Sequence, residues 1–447
     1  MKEKTLDADK LRQLLQKKDI QLQVLLKEHH PVDIAEVYEE LQPAESLELF
    51  MLLDFETALQ VLEKIKPSKK YFTLISIDRG YAARLLEQMP PDDLADFLGE
   101  LEEDEKNRIL SLIEKREQKD LRKLLSYDKN TAGGLMTTEY IAFSKDLTAR
   151  AALNRLGELA PDAETIYYVY AVDSENRLVG VVSLRDLILA GEDTPIEEFM
   201  WTDVKKVRAS QDQEEVARLI QKYGFLALPV VDDNDVLLGI VTVDDVMAVV
   251  EEEATEDILK LAGSDEKLDP EKSSSWLRAK RRLPWILVAV LGEIISGAVI
   301  NKFSNALQTL VALSFFIPVL MDMGGNVGTQ SAAIVVRGLA TGEINSASLS
   351  RNVLREAAVG IILGTLNGVL IALIAYVWQG EALLGLVVGM AMAFNLIFAA
   401  VLGTFMPLLW HKMGHDPAVA SGPLVTTVLD ITGLFIYFSA AAWIIKI

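Results

Sequence analysis

From about Leu283 onward the chain turns into long apolar runs with few charges and many Gly, Ala and Ser. About 20 such residues cross a bilayer as a helix. Backbone groups in hydrocarbon must satisfy one another, so runs of this kind are confined to helices. Five spans are expected, at about 283–304, 309–336, 353–378, 382–409 and 419–445. The second carries Pro318 and the pair Gly324–Gly325 and is expected to break or kink. In the third, Gly360, Gly364 and Gly368 let a neighbouring helix approach closely.

Basic residues orient the spans. Arg278, Lys280, Arg281, Arg282, Arg337, Arg351, Arg355 and Lys412 fall on one side, against Lys302 and Lys446 on the other. This places the N-terminal half in the cytoplasm of a multi-pass plasma-membrane protein, with the C-terminus outside. The polar start, Met1–Asp9, does not read as a signal peptide. With no Cys, disulfides and thiolate metal sites are excluded. The formal net charge is −21, but residues 276–447 carry +3, leaving −24 on the first 275. So acidic a surface repels nucleic acid and attracts metal cations. Charge alone is equally compatible with a merely soluble acidic surface.

Two internal repeats organise the acidic half. Pro31-Val-Asp-Ile-Ala-Glu-Val-Tyr-Glu-Glu-Leu41 returns 60 residues later as Pro91-Asp-Asp-Leu-Ala-Asp-Phe-Leu-Gly-Glu-Leu101. Apolar residues at three- and four-residue spacing around these segments predict amphipathic helices. Residues 1–130 are therefore expected to form an all-α, superhelical N domain. The second repeat has an offset of 59: Gly180-Val-Val-Ser183-Leu-Arg-Asp186 returns as Gly239-Ile-Val-Thr242-Val-Asp-Asp245. Each copy predicts two strands and a helix opening at Ser or Thr. It resembles an α/β tandem CBS pair, with copies at 131–195 and 196–250. Residues 251–275 then form a connector helix rich in acid, either a lever to the membrane or a solvated link, and 276–447 the five-helix α transmembrane domain.

Glu293, Asp322 and Asp430 are acidic residues inside the predicted spans, with no Lys or Arg deep in the spans to neutralise them, since Lys302 and Arg355 fall at span ends. Ionised groups at that depth are costly and mark a water-filled path or a partner. Carboxylates without basic partners suit a cation pathway. Mg²⁺ gives the pattern a logic, because it prefers oxygen ligands and sheds water reluctantly, so few carboxylates suffice. Met321-Asp-Met-Gly-Gly-Asn-Val-Gly-Thr-Gln330 supplies Gly325, Asn326, Thr329 and Gln330. Val425-Thr-Thr-Val-Leu-Asp430-Ile-Thr-Gly433 supplies Thr426, Asp430 and Gly433. A lone Asp430 is a weak site, and a two-fold axis would double it, so a homodimer is expected. In the competing reading, the polar residues of span two only pack helices.

The order of helical domain, CBS pair, acidic connector and five spans resembles the MgtE family of magnesium transporters and channels. So does Gly324-Gly-Asn-Val-Gly-Thr-Gln330, followed by Asp430 in the last span. The resemblance implies that Asp430 binds hydrated Mg²⁺ in the pore and that Asp416 lies near its cytoplasmic mouth. It implies regulatory Mg²⁺ sites from Asp92 and Asp96 of the helical domain, Asp245 of the CBS pair, and Glu253, Glu256 and Asp257 of the connector, the family's plug helix. High Mg²⁺ would bridge these carboxylates and close the pore. Ala248 stands where the family can carry another acid, which puts one regulatory site in doubt. Asp93 is a poorer candidate, since its repeat partner Asp33 suggests helix capping. Thr242 and Asp245 are also candidates for contacting ATP or another adenine nucleotide at the CBS pair.

No phosphate-binding loop with Gly-Lys-[Ser/Thr] occurs, so ATP-driven pumping is not expected, and no His-Glu-x-x-His or other catalytic motif marks an enzyme. The expectation is a Mg²⁺-selective channel gated by cytoplasmic Mg²⁺. The alternatives are an ion-coupled transporter, with Glu293 and Asp322 as relay groups, and a membrane-anchored CBS sensor that moves no ion.

Overall fold

Among the described residues, ten short helices, from Ala8–Lys17 to Glu117–Leu124, build the N domain. The computed structural model describes residues 6, 8–17, 21–114, 117–264, 274–344, 348–420 and 422–445. Most of Met1–Asp9, the connector stretch 265–273 and Lys446, all used above, lie outside the described residues. Four of the N-domain helices open with Pro in the first turn (Pro31, Pro43, Pro67, Pro91), where the missing N–H costs nothing. Two others are capped by Asp54 and Asp78. Asp33 and Asp93 do not cap. They stand three residues after the cap positions His30 and Pro90, in the first turn, where a carboxylate complements the helix dipole.

The 59-residue repeat becomes two matching sheets. In one, β1 (Ala142–Ser144) pairs parallel with β2 (Tyr168–Val172), which pairs antiparallel with β3 (Leu178–Ser183). In the other, β4 (Val207–Arg208), β5 (Ala227–Val231) and β6 (Leu237–Thr242) repeat that order. The match extends to a bulge in each antiparallel pair, at Ala171/Val172 and Val230/Val231. It also extends to the left-handed turn residues Asn176 (φ 59) and Asp235 (φ 64). These turns exchange hydrogen bonds, Leu178 N to Asp235 O (2.9 Å) and Leu237 N to Asn176 O (3.1 Å). The copies thus meet about a pseudo-two-fold, burying Tyr170, Val172, Leu178, Leu237 and Ile240. The helix after β6, Val243–Leu261, has neither Gly nor Pro and runs without a break through residue 250, where the sequence suggested a boundary.

Contacts group the chain into Met1–Val249 and Val250–Ile447. Among the described residues the second unit holds five helices of spanning length: one, Ser275–Lys302; two, Val311–Ala340; three, Leu349–Gln379; four, Ala382–Lys412; five, Pro417–Ile445. Span two does not break at its glycines. Its first turns, Val311–Phe316, are a 3₁₀ segment held by the Tyr437 hydroxyl donating to Leu313 O (2.9 Å), and a continuous helix Ile317–Ala340 follows. Pro318 falls in that helix's first turn, where it is tolerated.

Spans three and four are joined by glycines. A Cβ on Gly364 would lie 2.6 Å from Ala393 O, one on Gly368 2.7 Å from Gly389 O, and one on Gly389 2.6 Å from Gly368 O. Spans two and four also touch through backbone, a Cβ on Gly403 meeting Gly328 O at 2.2 Å. Small residues at these crossings are what close packing in a bilayer requires.

Candidate ion pathway and regulatory sites

On span two, Asp322, Asn326 and Gln330 recur every four residues and form one exposed stripe. Asn326 Nδ2 donates to Asp322 Oδ2 at 3.1 Å. On span five, Asp430 is partly buried and faces the carboxyls of Glu293, from span one, and Asp322. Spans one and five come together here because Gly292 leaves room: a Cβ on it would meet Thr427 Cγ2 at 2.1 Å. Gly325 faces Thr426, a Cβ on it lying 3.5 Å from Thr426 Cγ2. The Thr426 hydroxyl donates to its own helix, at Pro423 O (3.1 Å), and its lone pairs stay free to accept or to ligate. The sequence-predicted pore residues of spans two and five are therefore neighbours. The helix at Gly324–Gly325 is unbroken, so the backbone carbonyls expected as ligands remain in the helical ladder.

The sequence reading overlooked Glu356, near the start of span three, which accepts from Ser331 Oγ at 3.4 Å. It also overlooked Asn395, a wholly buried amide in the middle of span four. Both lie in segments of high apolar content, where a single polar residue barely disturbs the pattern.

At the start of span five the connector helix is docked. A Cβ on Gly422 (φ 54) would lie 2.3 Å from Leu261 O, and one on Gly263 (φ 71) 2.5 Å from Pro423 Cγ. Lys260 Nζ donates to Asp416 Oδ2 at 2.5 Å and pairs with Glu256. Burial alone would lower the Lys260 ammonium, but these two carboxylates outweigh it and hold it above the ordinary lysine range. Asp257, on the same helix, is raised to about 6 by burial and then by Asp416. Two of the expected metal ligands, Glu256 and Asp416, are thus engaged by a lysine that sequence reasoning did not weigh. Glu253 lies on the same helix, one turn before Asp257, and adds to its negative field.

In the first unit Asp92 and Asp96, one turn apart on Pro91–Gly99, face Asp245 in the first turn of Val243–Leu261. Burial raises Asp92 to about 8, with Asp245, Asp93 and Glu164 adding to the effect. Burial likewise raises Asp96 to about 6, helped by Asp93 and Asp245. Oδ1 of Asp92 is buried with no hydrogen-bond partner among the described residues. Glu164, which no sequence pattern singles out, joins the group. Burial and then Asp244 and Asp245 raise it to about 7. Burial also raises Asp245, although the Thr242 hydroxyl donating at 2.5 Å opposes the shift. Among the described residues no three His, Asp or Glu side chains converge to direct metal-ligand spacing. Carboxylates that are close but not converged fit an ion that keeps its water, as Mg²⁺ does.

The repeat partner of the Thr242–Asp245 pair is Ser183–Asp186, with Ser183 Oγ donating at 2.7 Å. Ser183 lines a cavity of about 420 Å³ rimmed by Tyr168, Tyr170, Trp201, Tyr223 and Phe225, with Asp203 and Lys205 at its edge. Thr242 and Asp245 do not line it. The cleft lies between the two copies: Tyr168, Tyr170 and Ser183 come from the first and Trp201 to Pro229 from the second, so it faces the Ser183 helix opening and not the Thr242 one.

Five spans with carboxylates facing one another inside them, preceded by a helical domain and a nucleotide-sized cleft in a duplicated α/β module, define a multi-pass membrane transporter with a regulatory half. Residues 317–440 match MgtE, divalent cation transporter; residues 29–130 match the MgtE intracellular N domain; 132–193 and 196–252 match the CBS domain. The chain is 39% identical over 417 residues to the magnesium transporter MgtE of Bacillus subtilis (strain 168), covering 93% of this chain and 92% of that one. It is 38% identical to the magnesium transporter MgtE of Thermus thermophilus, over 98% of each. The crystal structure of the cytosolic domain of the Mg²⁺ channel MgtE in complex with ATP is 40% identical. It spans 54% of this chain and 100% of its own, with a TM-score of 0.52. The chain belongs to the MgtE family of magnesium transporters.

Proposed function

We propose that this protein admits Mg²⁺ through a pore lined by Asp430 and closes when cytoplasmic Mg²⁺ binds its acidic half. The observation that carries the pore is the meeting of Asp430, Glu293 and Asp322 with no basic side chain between them among the described residues. Asn326, Gly325, Gln330, Thr426 and Gly433 complete its polar surroundings. Asp322, Asn326 and Gln330 are exposed on a single chain, and hydrocarbon is a poor neighbour for them. A homodimer covers the stripe and doubles Asp430. Ile188 and Met247, equivalent positions on equivalent CBS helices, are both exposed and suit the same two-fold. The C-terminus is then outside. An inside-negative potential drives the ion inward by about 2.3 kcal/mol per charge per 100 mV.

The regulatory sites in this reading are Asp92, Asp96 and Asp245, and separately Glu253, Glu256, Asp257 and Asp416. The domains of this reading are 1–130, 131–195, 196–250, 251–275 and 276–447; family matches within 29–130, 132–193, 196–252 and 317–440 support the first three and the last. An adenine nucleotide is assigned to the aromatic cavity beside Ser183 rather than to Thr242 and Asp245, in keeping with the ATP complex of the related cytosolic domain.

Purified protein in liposomes tests the pore. Currents should reverse at the Mg²⁺ equilibrium potential, and Asp430→Ala should reduce them to background while the protein stays monodisperse. Flux that instead follows a pH or Na⁺ gradient identifies the coupled transporter, with Glu293 and Asp322 as relay groups.

A further inference from the structure

We propose that Asn395 is a positioning residue for conduction: its carboxamide, clamped between Gly324 of span two and Gly433 of span five, sets the separation of the helices that carry Asp322 and Asp430. The proposal rests on the reading of Asp430 as a pore carboxylate.

Asn395 is fully buried, in the middle of Ala382–Lys412. Its Nδ2 donates to Leu320 O of span two at 2.8 Å. Both faces of the amide are pressed by glycine. A Cβ on Gly324 would stand 2.8 Å from Nδ2, and a Cβ on Gly433 would stand 2.8 Å from Oδ1. Either is closer than packed atoms tolerate, so each glycine is a wall of a socket cut to this side chain.

The amide is expensive where it sits. Oδ1 has no hydrogen-bond partner among the described residues, and a buried acceptor without a donor costs stability. An apolar residue would avoid that cost, so packing alone does not account for an Asn here. Its location accounts for it better. Gly324 lies two residues beyond Asp322 and Gly433 three beyond Asp430, so one rigid, planar group touches both helices within a turn of both carboxylates. Close-packed interiors transmit displacements instead of absorbing them. A change in the thickness of this wedge therefore moves Asp430 relative to Asp322. Gly433, expected from sequence to serve the ion directly, is on this account a seat for Asn395.

The test is an exchange of volume in the full-length protein, reading Mg²⁺ influx into liposomes. Gly433→Ala should lower influx roughly tenfold, the scale of loss when reacting groups are displaced by part of an ångström. Asn395→Ala alone should raise the half-saturating Mg²⁺ concentration severalfold. The double variant should recover most of the influx lost by Gly433→Ala, because the added methyl then has space. A double variant no better than Gly433→Ala overturns the proposal and returns Gly433 to the pore wall. If Gly433→Ala does not accumulate as folded protein, a folded and conducting double variant supports the socket; one that fails to fold or to conduct rejects it. Asp430→Ala, measured beside them, separates the two claims: full influx there removes the pore reading, while rescue between positions 395 and 433 still reports the socket.

Discussion

The two CBS copies start from the same motif and end in opposite chemistry. Ser183–Asp186 and Thr242–Asp245 occupy equivalent positions and make the same hydroxyl-to-carboxylate bond. Around the first gather Tyr168, Trp201, Tyr223 and Phe225, leaving an open aromatic cleft. Around the second gather Asp92, Asp96, Glu164 and Asp244; burial, and then neighbouring carboxylates, raise Asp92, Asp96, Glu164 and Asp245. A duplicated scaffold supplies position, and the side chains brought against it decide what is bound. In the proposed reading, a ring system occupies the aromatic cleft and a divalent cation the acidic one.

This contrast can be broken at either end. The largest effect is expected from Asp92→Asn with Asp245→Asn. Channels carrying both changes should stay open at Mg²⁺ concentrations on the cytoplasmic face that close the unaltered protein, in patch recordings. An unchanged threshold would exclude the acidic cleft as sensor.

Next comes stability against pH. Asp92 is held at about 8 in the folded chain against an ordinary 3.8, so the folded state keeps a proton that the unfolded state has released. Stability therefore falls as pH rises from about 4 and stops falling near 8. The loss should be on the order of a few kcal/mol, shared among coupled groups. Thermal unfolding of the full chain in chelator should show it. Asp92→Asn should flatten the dependence, and added Mg²⁺ should restore the midpoint at pH 8.

Smaller again is the aromatic cleft. Tyr168→Ala with Phe225→Ala should weaken ATP binding about tenfold or more by calorimetry, as losing one stacking partner costs about 1–3 kcal/mol. The Mg²⁺ threshold measured without nucleotide should not move. The smallest effect is Ser183→Ala against Thr242→Ala. Each removes a helix-opening hydroxyl, at a cost of about 1 kcal/mol in thermal unfolding. Only the first should also alter nucleotide affinity.

Much of this organisation was legible in the residues. Apolar runs gave all five spans, because hydrocarbon leaves the backbone little choice. The offset of 59 gave the matched sheets, down to the pairing of Ser183 with Thr242. What stayed hidden depends on the far side of a contact. Nothing in the local pattern distinguishes Lys260 from a solvated helix lysine, since its partner Asp416 is 156 residues away. Gly324 and Gly325 read as helix breakers because the amide that fills the first of them belongs to another span. Glu164 sits in an irregular stretch between elements, where no periodicity singles it out. The nucleotide candidates Thr242 and Asp245 do not line the aromatic cleft, although their own copy supplies much of it, because two equivalent motifs differ only in what packs on them.

Backbone pressed on backbone, as Gly364, Gly368 and Gly389 arrange it between spans three and four, leaves almost no room for sliding. That pair of helices should behave as a fixed slab during opening and closing. Spin labels placed one on each should hold a constant distance across Mg²⁺ concentrations, and any gating displacement should appear in the remaining spans.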